Sequence, residues 1–199
     1  MSVPCRRRTV GAVVSNVLRL VPERVRGLRL SEYDALVAAG LLEGERVELL
    51  EGELVEVAPT SPEHAWTTER VADALRDQRP TGWRVRTQQP LAVPPSSEPE
   101  PDVAVVRDQD YSHAHPRTAL LVVEVARSSR ETDLQVKPAL YATAGVQEYW
   151  VVDPDERVVH VHRRRQQDGY GEVSVHRSGV LRSDTEPPFT LDLDAVLPT

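Results

Sequence analysis

The sequence predicts a single α/β domain whose central sheet is covered on both faces. From Ser61 onward the elements run helix, three strands, helix, strand, an order that needs one crossover helix. Two of the strand segments, Asp102 to Val106 and Leu120 to Val125, are continuous apolar runs, as expected of strands buried on both sides. A length of 199 residues suits one domain with a sizeable core.

The folded part is expected to begin near Leu30. Ser31 can cap a short helix, SEYDALVAAG, that Gly40 ends. RVELLEGELVEV places two apolar runs around Glu51-Gly52 and reads as a β-hairpin. Ser61-Pro62 starts a second helix with an apolar stripe at Val71 and Leu75, and Pro80 and Gly82 stop it. WRVRTQQPLAV alternates like a half-buried strand, with Trp83, Val85 and Thr87 on one face. PPSSEPEP reads as a rigid connection. The two buried strands follow, and then a helix from Thr132 or Asp133 to Gly145, with Pro138 near the limit of tolerance. EYWVVD is a third buried strand, and RVVHVHRR and EVSVHR form a hairpin across QQDGYG. FTLDLDAVL is a short closing element. Trp83 and Trp150 belong to strand cores, whereas Trp66 fits either core or surface.

Charge is unevenly placed. Residues 1–29 carry seven arginines and one acid, a balance of +6 on a chain of net −7, which leaves −13 for the rest. The chain therefore divides into a basic arm, 1–29, and a single domain, 30–199. The arm reads either as a poorly ordered leader or as a nucleic-acid contact. The acidic body confines any nucleic-acid face to a local patch. A lone cysteine, Cys5, excludes an internal disulfide framework and fits a reducing, cytoplasmic location. No apolar run reaches the roughly 20 residues of a membrane span, and Arg19 interrupts the one stretch that could suggest a signal peptide.

The chemistry concentrates in three residues. Asp102 opens one apolar strand, Glu124 lies near the end of the next, and Lys137 follows on the crossover helix. An unpaired charge on a buried strand is costly, so Glu124 requires a cation or a metal. Asp102 has a plainer alternative as a strand-entry residue satisfied by turn amides. Lys137 has one as a surface ion pair with Asp133, worth about 0.3–0.5 kcal/mol. Helical spacing sets Asp133, Lys137 and Tyr141 along one face. If that face borders the strand ends, Lys137 can steady transition-state charge beside a metal-activated water. Glu48 shares its hairpin with Glu51, Glu53 and Glu56, so a solvated acidic face competes with a site role. His64, early in its helix, reads first as a surface or capping residue. His160 and His162 alternate on one strand, with His176 expected opposite them, and a histidine metal site there is the weaker reading.

GERVELLEGELVEVAPTSPEHA, SEPEPDVAVV and LLVVEVARSSRETDLQVKPALYATAGVQEYWVVD, in that order and spacing, resemble the Uma-type putative restriction endonucleases of the PD-(D/E)XK nuclease superfamily. The resemblance spans roughly Leu30 to Arg164. It implies a restriction-endonuclease-like core, a central mixed sheet flanked by helices, with an N-terminal helix and hairpin and a C-terminal hairpin added. It further implies a metal-dependent endonuclease acting on DNA with Mg²⁺ or Mn²⁺. By match of motif, Asp102 and Glu124 take the metal positions, Lys137 the basic position on the helix, and Glu48 a further acidic position. His64 matches a polar position on the first core helix. Where branches with this spacing carry Asp, this chain has Arg127, which could contact a phosphate or repel a metal. That departure and the acidic body motivate a competing reading, a non-catalytic nuclease fold that binds nucleic acid or protein. A homodimer paired through the C-terminal hairpin is a third.

Overall fold

The computed structural model describes residues 26–198, so most of the basic arm lies outside the described residues. Helix α1, Leu30–Ala38, starts two residues earlier than a Ser31 cap would set it, with Arg29 at its N-cap. The Glu32 carboxylate takes the capping role: it accepts the Arg29 backbone N–H at 2.8 Å and pairs with Arg26. Gly40, at φ +71°, lies just beyond the helix end as predicted.

Strands β1, Val47–Leu50, and β2, Glu53–Glu56, form the expected hairpin across Glu51 and Gly52, both at positive φ. Gly52 is fixed by contact as well as by conformation. A Cβ there would lie 3.0 Å from the Gly27 Cα, and the Leu28 N–H donates to its carbonyl at 2.9 Å. PPSSEPEP, expected as a rigid connection, also packs on the hairpin. It folds back so that the Glu98 N–H reaches the Leu49 carbonyl at 2.7 Å and the Gly52 N–H reaches Ser96 at 2.7 Å. This docks the hairpin against the segment that enters Asp102.

Helix α2, Pro62–Asp77, is capped by Ser61, whose Oγ accepts the His64 N–H at 3.2 Å. The main sheet has six strands in chain order: β3 (Trp83–Thr87), β4 (Val103–Arg107), β5 (Leu121–Val125), β6 (Glu148–Asp153), β7 (Val158–Arg165) and β8 (Tyr170–His176). Only β5 and β6 are parallel, which makes the sheet mixed. The crossover joining them differs from the single helix expected. It starts at Arg130 and breaks at Val136 into α3, Arg130–Gln135, and α4, Lys137–Thr143. Pro138 supplies the reason, since it has no N–H for the carbonyl one turn back and its ring crowds that carbonyl.

The two faces of the sheet bury separate cores. Val71, Ala72 and Leu75 of α2 pack on Val103, Val123, Val125 and Trp150. The closing element joins them there: β9 (Val180–Arg182), β10 (Thr190–Asp192) and α5 (Leu193–Val196) add Leu181, Phe189 and Leu191. On the other face Leu140 and Tyr141 of α4 cover Ala104, Val122, Tyr149 and Val151. Trp66 resolves to the surface, 40% exposed beneath the Arg70 guanidinium. Among the described residues, no helix is long and apolar enough to cross a membrane.

Candidate active site

The register of β4 on β5 pairs Val103 with Val123, so Asp102 falls opposite Glu124. Each carboxylate is held by the other's strand. The Asp102 N–H donates to Glu124 Oε2 at 3.1 Å, and the Val125 N–H donates to Asp102 Oδ2 at 2.8 Å. Val123 and Val125 point toward α2, which turns Glu124 to the α4 side. There Lys137 Nζ donates to Glu124 Oε1 at 2.8 Å and the Tyr141 hydroxyl to the same oxygen at 2.6 Å. Helical spacing thus does put Asp133, Lys137 and Tyr141 on one face at the strand ends.

Asp133 and Lys137 do pair, at 3.1 Å, but the surface ion pair considered above is not what forms. Asp133 is 1% exposed and Lys137 5%, and Ser129 Oγ donates to the second Asp133 oxygen at 2.5 Å. Glu48 likewise leaves the solvated acidic face. Glu51, Glu53 and Glu56 are exposed, whereas Glu48 turns inward, accepts the Glu100 N–H at 3.2 Å, and brings Oε2 within 3.8 Å of Lys137. His64 is no surface residue: its Nε2 sits 3.1 Å from Asp102 Oδ2. Seven of the eight predicted residues, Glu48, His64, Asp102, Glu124, Asp133, Lys137 and Tyr141, therefore come together in the fold.

Arg127 does not join them. Its guanidinium pairs with Glu63 at 3.0 Å and Asp155 at 3.3 Å and donates to Ser61 at 2.9 Å. Two acids neutralise it on the rim, which removes much of its repulsion toward a cation at the carboxylates. The histidines of the C-terminal hairpin do not converge either. His176 stands opposite Val159, on the face away from His160 and His162. His162 lies against Tyr149 and Tyr170, where burial pushes its pKa down to about 4.

Residues that sequence reasoning passed over complete the surroundings. Ser129 steadies Asp133, Glu100 lends its amide to Glu48, and Gln88 extends Nε2 to 3.4 Å from Asp102 Oδ1. Tyr149 donates to the Asp133 carbonyl at 2.8 Å. None carries a sequence signal of its own: Glu100 acts through its backbone amide, and Ser129, Gln88 and Tyr149 are polar side chains whose partners only the fold brings near. At the cluster opens a cleft of about 800 Å³, lined by Val55 of the hairpin, Val57 and Pro59 after it, and Ser128 and Thr132.

The electrostatics are lopsided. Three carboxylates, those of Glu48, Glu124 and Asp133, lie within 4 Å of the Lys137 ammonium, a fourth, Asp102, pairs with His64, and the four acids and the lysine are all buried. Burial pushes the Glu124 pKa up to about 8 against the pull of Lys137. Burial also raises Glu48, and raises Tyr141 well beyond its ordinary value. Lys137 moves the other way from a typical buried lysine: burial opposes its charge, but Glu124, Asp133 and Glu48 outweigh it and hold the ammonium protonated. Burial would lower His64, yet the Asp102 carboxylate beside it prevails and the net shift is upward.

Four acids beside two basic groups, Lys137 and His64, could accommodate a further cation. Among the described residues no three His, Cys, Asp or Glu side chains form a preformed metal cage. Asp102 and Glu124 offer carboxylate oxygens, the donors that a small divalent ion retaining several waters prefers.

The comparisons agree with this architecture. A family model described as Uma2, putative restriction endonuclease, matches residues 30–194. Four chains of known structure match, among them a crystal structure described as a putative nuclease belonging to DUF820 from Anabaena variabilis. It is 16% identical, with a TM-score of 0.60 over 75% of this chain and 88% of that one, a likeness of fold. No curated protein matches the chain.

Proposed function

The chain belongs to the Uma2 putative restriction endonuclease family, and from that premise we propose a divalent-metal-dependent endonuclease that hydrolyses phosphodiester bonds in DNA. The observation that carries the reading is the buried cluster of four carboxylates with Lys137 and His64 that lines an open cleft. Mg²⁺ or Mn²⁺, held by Asp102 and Glu124, would supply the Lewis acid that activates water for attack on phosphorus.

The protein groups then have distinct duties. Asp102 and Glu124 cross-brace one another through backbone amides, so their oxygens are oriented before any ligand arrives. Lys137 stays protonated, so it is no base; it offers positive charge to the phosphate oxygens as charge develops. Asp133 and Tyr141 position Lys137 and Glu124. Glu48, raised by burial and open to the cleft, is suited to accept or pass a proton. His64 aligns Asp102. Arg127 guards the rim.

A second reading keeps the fold without the chemistry, as a nucleic-acid-binding or interaction module. It is favoured by one feature: every member of the trio already has a partner inside the protein. Cleavage of plasmid and single-stranded DNA with and without Mg²⁺ or Mn²⁺ separates the two. The nuclease reading expects metal-dependent cutting that Asp102→Ala and Glu124→Ala abolish in folded protein. Full cleavage by either variant removes these residues from the mechanism, and DNA binding without cleavage in any metal selects the module.

A further inference from the structure

We propose that the free edge of β8 is a homodimer interface, where a second copy of the chain adds its own β8 antiparallel about a two-fold axis at Ser174. Strand β8 ends the sheet and pairs inward with β7; among the described residues no strand pairs along its outer side. An open edge presents unpaired N–H and C=O groups, and monomeric proteins blunt such edges with charge, proline or brevity. The opposite edge is blunted in this way: β3 has five residues, two of them arginines. Strand β8 is not. Its seven residues, YGEVSVH, include no proline, and Val173 and Val175 are 55% and 51% exposed.

The strand is also complementary to itself in one register. Facing residues of an antiparallel pair share a side of the sheet, so a two-fold axis normal to the sheet must pass through a residue position. With the axis at Ser174, Val173 meets Val175 of the second copy and Glu172 meets His176. Moving the axis to Val173 sets Val175 against Gly171, and moving it to Val175 sets Val173 against Arg177. Only the Ser174 register matches apolar with apolar and acid with base.

The resulting sheet would have twelve strands. From β5 to its symmetry mate is seven interstrand steps, roughly 34 Å at about 4.8 Å each. The axis also reverses the strand direction, so the two clefts lie at opposite ends of the strands and engage separate stretches of ligand.

Sedimentation equilibrium on the full chain, from about 1 to 50 µM, tests this through mass action. The expected mass is twice that of the 22.2 kDa chain. Val173→Lys and Glu172→Lys should each weaken association at least tenfold, and adding His176→Glu to Glu172→Lys should restore it. Both single substitutions fall on solvent-accessible side chains, and circular dichroism checks that each variant folds. A wild-type monomer throughout the range, an unchanged dimer in Val173→Lys, or association into larger assemblies would each overturn the interface. Failure of the double variant to recover would overturn the register.

Discussion

Glu124→Gln should flatten the pH dependence of stability and cross the wild-type curve as pH rises. In the folded protein Glu124 titrates near pH 8, against an ordinary value of 4.5, because burial disfavours its charge. Between those limits the folded state holds a proton that the unfolded chain has released. Stability is therefore intact below about pH 4.5, falls as pH rises, and levels off above pH 8. At 1.36 kcal/mol per pH unit the interval amounts to roughly 4–5 kcal/mol, an upper value for one group in a coupled cluster. Glutamine keeps the shape and cannot ionise. Its Oε1 still accepts from Lys137 and Tyr141, but its amide nitrogen replaces the oxygen that accepts the Asp102 N–H. That loss costs about 1–3 kcal/mol at every pH. The variant should be the less stable protein at pH 5 and the more stable one at pH 8.5, with the curves crossing between. Urea unfolding followed by tryptophan fluorescence, in chelator from pH 5 to 9, reads this directly. His64, Glu48 and Glu98 are also raised and add slope of the same sign; Glu98 acts alike in both proteins, whereas Glu48 shares Lys137 with Glu124 and its part changes with the substitution. Parallel curves would refute the reasoning, for they would mean that Lys137 alone compensates an ionised Glu124.

Divalent metal should raise the unfolding midpoint of the wild type and leave that of Glu124→Gln nearly unchanged; at a hundredfold excess over Kd the gain is about 2.7 kcal/mol, readable by thermal melts with and without chelator. Tyr141→Phe removes a 2.6 Å donor from a buried carboxylate and should cost about 1–2 kcal/mol in denaturant unfolding while cutting DNA more slowly. Arg127→Gln breaks two partly exposed ion pairs, so its stability should change by less than about 1 kcal/mol. If the rim arginine reaches a phosphate, the salt dependence of DNA binding should fall by about one unit in slope, measurable by fluorescence anisotropy. Lys137→Arg should abolish cleavage and cost about 1–3 kcal/mol through overpacking, checked by the same unfolding assay.

The strand and helix order was legible because it rests on period and punctuation, and these are local. Ser61-Pro62, Gly40 and Glu51-Gly52 mark ends that the backbone respects. What was not legible depends on contacts between distant segments. Arg29 rather than Ser31 caps α1 because Glu32 reaches back to it, a choice of side-chain conformation. The split at Val136 was signalled by Pro138, yet whether a helix bends or breaks there depends on what packs beneath. Glu48 looked solvated beside three exposed glutamates. It is buried because PPSSEPEP folds back on the hairpin and carries the Glu100 amide to it. The alternation of a two-stranded hairpin says which residues share a face, but not which face meets the rest of the protein.

One signal of composition bears directly on the site. Lys137 is the only lysine in the chain; the remaining basic residues, apart from histidine, are arginines. On a surface the two serve almost equally, so a chain biased this strongly toward arginine has had little need of lysine elsewhere. At position 137 the need is geometric. Three carboxylate oxygens approach from separate directions at 2.8, 3.1 and 3.8 Å. An ammonium is a compact point charge with three rotatable donors and can turn to meet them. A guanidinium is planar and larger, and in a site 5% exposed it would have to displace either Glu124 or Asp133. The lone lysine is thus retained where arginine's fork does not fit, at the centre of the acids, and its position in the fold follows from the charge they create.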